Sequence, residues 1–206
     1  MRIIAGAFRG RALAGPRWAG LRPTSDKLRE TLFNILGERV RGARVLDAYA
    51  GTGALGIEAL SRGAAFVAFV ERDPRALALI GKNLRGCGVA EGYAMMRAAS
   101  GLRRRLAAQP AFDLILVDPP YDEPDLAAAV RRVSEWLNAD GLVVLEHARR
   151  RSSPPAVASL VRTRAVEAGD SALAFYRRAP RPAGGSGAAG AAHGANPAAL
   201  RRSTDD

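Results

Sequence analysis

An α/β fold with a mainly parallel central sheet and a small basic N-terminal extension is predicted by three observations. Short apolar runs alternate with helical patterns between residues 44 and 178, the order expected when helices cover both faces of a sheet. A complete G-x-G-x-x-G, Gly51 to Gly56, stands between the first of those runs and the first helical pattern, which makes the expected sheet Rossmann-like. The chain has 206 residues, 48% of them apolar, enough for one domain with a sizeable core.

The N-terminal forty residues come first and differ from the rest. RIIAGAFRGRAL (2–13) suits a hairpin or an extended arm, and Leu28, Leu32, Ile35 and Leu36 mark one apolar face of a helix that ends at Gly37. Residues 1–40 are therefore expected to form a lid or platform beside the sheet domain, which spans 41–179. RVLDAYA (44–50) is a first strand and AFVAFVE (65–71) a second, with the helix ALGIEALSRG between them stopped by Gly63. Asp73-Pro74 opens the next helix, because the aspartate accepts from orphan amides and proline lacks only an N–H that would be unpaired there. That helix runs to about Gly86. GYAMMR (92–97), FDLILVD (112–118) and GLVVLEH (141–147) follow as strands. Leu126, Val130, Val133 and Leu137 keep helical spacing between the last two. ALAFYRR (172–178) is a further strand after the Gly169-Asp170 turn. From Pro180 to Asp206 the chain is rich in Gly, Pro and Ala with no aromatic residue, so a disordered tail is predicted and its His193 is given no role.

Composition narrows the classes of function. Cys87 is the lone cysteine, so no internal disulfide forms, and no Cys/His spacing resembles a zinc site. No secretory leader or bilayer-length apolar run is visible, which makes the cytoplasm the expected location. The net charge is +11, and all but two of the 31 basic residues are arginine. Arg2, Arg9, Arg11, Arg17, Arg22, Lys27 and Arg29 stand against Asp26 alone in the first 29 residues. That concentration points to an anionic partner, with nucleic acid the leading class. The triplets Arg103–Arg105 and Arg149–Arg151 read equally well as solvated faces.

Two loops carry the chemistry. Glycines at Gly51 and Gly53 permit a tight turn close to a ligand, and Glu71, 20 residues after Gly51, can accept from both ribose hydroxyls. These features suit a dinucleotide as well as S-adenosyl-L-methionine. Asp47 tips the balance, because a carboxylate there favours an ammonium or sulfonium and repels a pyrophosphate. The second loop is Asp118-Pro119-Pro120-Tyr121, at the end of a strong strand and thus at the same sheet edge. A carboxylate oxygen and a proline-stiffened carbonyl can each take one N–H of an exocyclic amine, directing its lone pair to a methyl group. Tyr121 can stack on the base. The pairing of loops suggests methyl transfer to a nucleobase amine on an unpaired or extruded base.

RIIAGAFRGRAL with LRPTSDKLRETLFNIL, VLDAYAGTGALGIEALSRGA with FVERD, and FDLILVDPPY together resemble the bacterial methyltransferases of the RsmD type, over roughly residues 1–178. The resemblance implies methylation of N2 of one guanine in 16S ribosomal RNA, free or in a small-subunit particle, using S-adenosyl-L-methionine. It implies that Asp47, Ala48, Gly51 and Gly53 surround the methionine end, that Glu71 and Arg72 hold the ribose side, and that Asp118 to Tyr121 hold the guanine amine. Arg2, Arg9, Arg11, Arg17, Arg22 and Lys27, with the RPT turn from Arg22 to Thr24, would contact RNA or close over the cofactor. Neither a metal nor a membrane enters, and a monomer is expected. Such enzymes often offer an Asp or Asn to adenine after the third strand, where this chain has Arg97-Ala98-Ala99-Ser100. That leaves adenine to backbone groups or Ser100. An adenine-N6 methyltransferase of DNA uses the same acceptor chemistry, and an NAD-dependent oxidoreductase or a non-catalytic RNA-binding module are the alternatives from other classes.

Overall fold

The structure, a computed structural model, describes residues 1–18 and 24–180. Arg22 and nearly all of the expected tail lie outside the described residues. The elements run α1 (Asp26–Leu36), β1 (Arg44–Asp47), α2 (Ala54–Ser61), β2 (Phe66–Glu71), α3 (Pro74–Gly86), β3 (Tyr93–Arg97), α4 (Leu102–Ala107), β4 (Phe112–Val117), α5 (Leu126–Arg131), β5 (Leu137–Ala148), β6 (Ala156–Val157), β7 (Leu160–Ala168) and β8 (Ser171–Arg178). The strands form one sheet in the order β3-β2-β1-β4-β5-β8-β7-β6. Its first five members are parallel, and β8, β7 and β6 join antiparallel.

Strand residues alternate between two apolar layers. Val45, Val67, Phe69, Leu114, Leu116 and Val144 pack with α1, α2 and α3 on one face. Leu46, Ala68, Val70, Ile115, Val117 and Val143 pack with α4 and α5 on the other. Period-two alternation between two covered faces explains why these strands read as unbroken apolar runs in the sequence.

Strand order reverses between β1 and β4, which register Asp47 opposite Leu116. Ligands of open α/β sheets bind beyond the carboxyl ends of strands at such a reversal. Gly51 and Asp118 both leave the sheet there, one after each strand.

The N-terminal segment is a hairpin bound to α2. Arg2 and Ala12 form an antiparallel bridge, Ile3 N–H donates to Arg11 O at 3.0 Å, and Gly10 N–H donates to Ile3 O at 2.9 Å. The buried Glu58 carboxylate takes the N–H groups of Ile4 and Ala5 at 2.8 and 3.1 Å, and Ser61 Oγ takes that of Phe8 at 2.9 Å. Gly6, at φ +83°, passes so close to α2 that a Cβ would lie 1.8 Å from Ser61 O. Ile3 and Leu13 then share the apolar layer of α1 and the sheet.

The helix expected to continue through Leu137 stops sooner. α5 ends at Arg131, a 3₁₀ turn spans Ser134–Trp136, and Leu137 begins β5. The residue breaking the pattern is Val133, whose burial is met from the turn and not from a continuous helix. β5 is correspondingly longer than its apolar stretch. α4, β6 and β7 are additions to the sequence reading. No helix of the described residues is long and apolar enough to cross a membrane.

Candidate active site

The three glycines of the first loop have separate physical duties. Gly51 takes φ +53° in the turn, and Gly53, at φ +79°, is the N-cap of α2 with Ile80 and Ile57 packed where a Cβ would go. Gly56 lets α2 rest on β2, since a Cβ there would sit 2.2 Å from the Phe69 ring. Only Gly51 of the three lines the cleft described below.

Carboxylates brace this turn from two sides. Glu71 Oε2 accepts Gly51 N–H at 2.9 Å, while its Oε1 accepts the N–H groups of Arg72 and Asp73 at 2.7 and 2.9 Å. Asp47 is 1% exposed behind the turn and accepts Gly56 N–H on Oδ2 at 3.0 Å. Its Oδ1 is buried with no hydrogen-bond partner. Burial, only partly offset by the Gly56 N–H, pushes the Asp47 carboxyl up to about 7.

A cleft of about 1500 Å³ runs from this turn to the second loop. A single small-molecule site occupies roughly 300–1,000 Å³, so the cleft has room for two ligands side by side. Ala48, Gly51, Glu71 and Arg72 line one part, and Asp118, Pro119, Pro120 and Tyr121 line another. Beyond β3, the wall is largely apolar, with Ala98, Leu102, Leu106 and Val133, and the Arg103–Glu135 ion pair stands at its rim at 2.8 Å. Ser100 is exposed and does not line it. Trp18, with Arg75 stacked 5.1 Å from its ring centre, and Lys27 flank the cleft from the N-terminal side.

The acceptor loop is built as a strand end. Val117 pairs with Leu145 of β5, after which the prolines stop the ladder. Glu123 N–H donates to Pro120 O at 2.9 Å, whereas the carbonyls of Asp118 and Pro119 accept no backbone bond among the described residues. Asp118 is half-buried, and Thr24 donates its hydroxyl to Asp118 Oδ2 at 2.8 Å. Tyr121 OH lies 2.6 Å from Ser171 Oγ and 3.4 Å from Glu146 Oε1.

Glu146 was not singled out by the sequence. It projects from β5, is 6% exposed and lines the cleft beside Asp118. Burial raises both carboxyls, and the charge of Asp118 raises Glu146 further. Glu146 therefore holds the proton when Asp118 is ionised. The available signal was a carboxylate at the carboxyl end of an otherwise apolar strand, GLVVLEH.

The expected RNA contacts are scattered more widely. Arg2, Arg9, Arg11 and Arg17 are exposed, with Arg11 over the Phe8 ring at 5.6 Å. Lys27 is the member of that group, among the described residues, that reaches the cleft. Arg29, counted in the basic excess, is fully buried: its Nη2 donates to Arg2 O and to Asp26 at 2.7 and 2.6 Å. Its charge is paired with the Asp26 carboxylate inside the fold and is not presented to solvent.

Comparison with known proteins gives a consistent result. A family model described as Conserved hypothetical protein 95 matches residues 1–177. The chain is similar to Ribosomal RNA small subunit methyltransferase D of Haemophilus influenzae, 37% identical over 150 residues, 71% of this chain and 78% of that protein. It is similar to the protein of the same name from Escherichia coli, 34% identical over 180 residues, 86% of this chain and 90% of that one. Among solved structures, a hypothetical protein of Thermus thermophilus matches with a TM-score of 0.72 at 32% identity, covering 86% of this chain and 99% of its own.

Proposed function

The chain belongs to the Conserved hypothetical protein 95 family, and on that premise we propose that it methylates N2 of a guanine in 16S ribosomal RNA using S-adenosyl-L-methionine. The observation that carries this reading is the single cleft lined by both Gly51 with Glu71 and Asp118 with Tyr121. A methyl donor and an amine acceptor must touch for transfer, and effective molarity from such juxtaposition supplies much of the barrier reduction.

The residues fit a cationic nucleoside. The Asp47 Oδ1 without a partner is a buried acceptor behind the turn, and a nearby sulfonium or ammonium favours its ionised form. Ala48 and Gly51 border the donor's methionine end, with Gly53 shaping the turn behind them. Glu71 and Arg72 border the ribose, and the apolar wall of Leu102, Leu106 and Val133 takes adenine in place of a dedicated acid. When bound, S-adenosyl-L-methionine supplies an electrophilic methyl group.

The chain's own groups orient the acceptor. Asp118 and the Pro119 carbonyl accept the amine N–H groups, so that the nitrogen lone pair points at the donor side, and Tyr121 offers its ring to the base. The exposed arginines of the hairpin, with Arg22 and Lys27, contact phosphates. Tritiated methyl transfer onto undermethylated ribosomal RNA, followed by nucleoside analysis, tests the reading. N2-methylguanosine is expected; label on adenine N6, or none on RNA, overturns it. Asp118→Ala should abolish incorporation while calorimetry shows S-adenosyl-L-methionine binding close to that of the native chain.

A further inference from the structure

The floor of the acceptor loop contains a buried acid with no part in the roles assigned above. Glu146 reaches it from β5, where Ser171 Oγ donates to its Oε1 at 3.2 Å and Tyr121 OH stands 3.4 Å from the same oxygen. Tyr121 and Ser171 are joined at 2.6 Å. The Asp118 carboxyl lines the same cleft as Glu146, close enough that its charge raises Glu146, and it takes the Thr24 hydroxyl. Asp118 is thus held by Thr24 with Glu146 beside it, and its loop is fastened to β8 through Tyr121.

We propose that Glu146 is a positioning residue for amine methylation: held by Ser171 and Tyr121, its protonated carboxyl donates to Asp118 and keeps that carboxylate ionised and aimed at the entering amine. This rests on the methyltransferase reading above. In the transfer the amine nitrogen forms a bond to the methyl carbon, and the electron pair of the breaking carbon–sulfur bond stays on sulfur. The nitrogen then carries an extra proton, which passes to the Asp118 carboxylate and from there to solvent. A carboxylate beside a second, unprotonated carboxylate would be repelled from that pose; a shared proton removes the repulsion and fixes the angle.

The groups facing Glu146 are few. Among the described residues they are Asp118 and Tyr121 from the loop after β4 and Ser171 at the start of β8, with Thr24, Asp170 and Arg150 elsewhere in the same cleft. The charge of Asp118 also raises the more distant Asp47 carboxyl.

Glu146→Gln and Glu146→Met separate charge from hydrogen bonding at similar volume. The first measurement is a carbon-detected NMR titration of the Asp118 carboxyl in the free protein, which needs neither cofactor nor RNA. Glu146 carries the proton while Asp118 titrates, so Glu146→Gln, which still donates, should leave the Asp118 titration nearly in place, whereas Glu146→Met, which donates nothing, should move it to higher pH by on the order of one unit. The second is kcat against pH with undermethylated ribosomal RNA. Glu146→Gln, which still donates an N–H, should keep kcat near neutral pH within a few fold and leave the acidic limb of the profile nearly in place. Glu146→Met should lower kcat on the order of 10- to 100-fold, as expected for loss of aim at the reacting centre, with the KM for S-adenosyl-L-methionine little changed. An Asp118 titration unmoved in both variants overturns the proposal, as does a Met variant with native kcat. If the native chain transfers no methyl group to RNA, the methyltransferase reading fails, and the NMR titration still decides the Asp118–Glu146 link.

Discussion

Asp47 illustrates how one buried oxygen sets a measurable property. Its carboxyl titrates near 7 because burial disfavours the charge, and a cationic ligand beyond the turn reverses that preference. Binding of S-adenosyl-L-methionine should then release a proton below that pH, so affinity rises as pH climbs toward about 7 and levels off above it. Calorimetry in two buffers of different ionisation enthalpy measures the release, and Asp47→Asn should flatten the dependence. Thr24 acts in the opposite sense on Asp118, since its hydroxyl bond favours the ionised carboxylate. Thr24→Val should raise the Asp118 titration, so that kcat falls more at pH 6 than at pH 8. Asp47 and Asp118 were legible in the sequence because each follows an apolar strand and precedes a Gly or Pro loop. Glu146 was not, and Thr24 was read only within the RPT turn, because their bearing on Asp118 depends on contacts across 28 and 94 positions of chain, which no local pattern encodes.

Elements whose pattern is local were found with close bounds, and α3 is the clearest. Asp73 accepts Arg75 N–H at 2.8 Å as its N-cap, Pro74 is the first helical residue, and the helix ends at Gly86 as expected. β7 was missed for a physical reason: it lies between β8 and the short β6, and four of its nine residues, Arg162 to Ala165, are exposed in succession. α4 escaped for a related one, because Leu102 and Leu106 are its only large apolar residues around the Arg103–Arg105 triplet. The attachment of the hairpin to α2 rests on Glu58, which also pairs with Arg62 at 2.8 Å. Glu58→Ala should leave Ile4 and Ala5 amides exchanging much faster than those of β1, as read by hydrogen exchange, while the sheet stays folded. Gly56→Ala should cost about 1–3 kcal/mol in urea unfolding, the range for overpacking, because the new Cβ meets Phe69.

At the scale of the whole molecule, three carboxyls withdrawn from water carry pKa values above their unfolded ones: Asp47, Asp118 and Glu146. The folded chain therefore keeps protons that the unfolded chain has already lost above the ordinary carboxylate range. The stability these three groups contribute is greatest below that range and declines as pH rises, through about 7 for Asp47 and beyond it for Glu146. Thermal unfolding of the free protein should show a falling Tm between pH 5 and pH 9, with a smaller fall in Glu146→Gln. The sheet order was legible as a class, since strand, glycine turn and helix fix a parallel sheet, while the antiparallel β8-β7-β6 edge is set by pairings that no short stretch announces. The same edge bears on the acceptor loop. The donor turn grows from β1 and β2, whereas the acceptor floor borrows Ser171 from the hairpin of β7 and β8. Remodelling the tip of that hairpin would change the surroundings of Tyr121 while leaving the Gly51 turn, which is built from β1 and β2, in place.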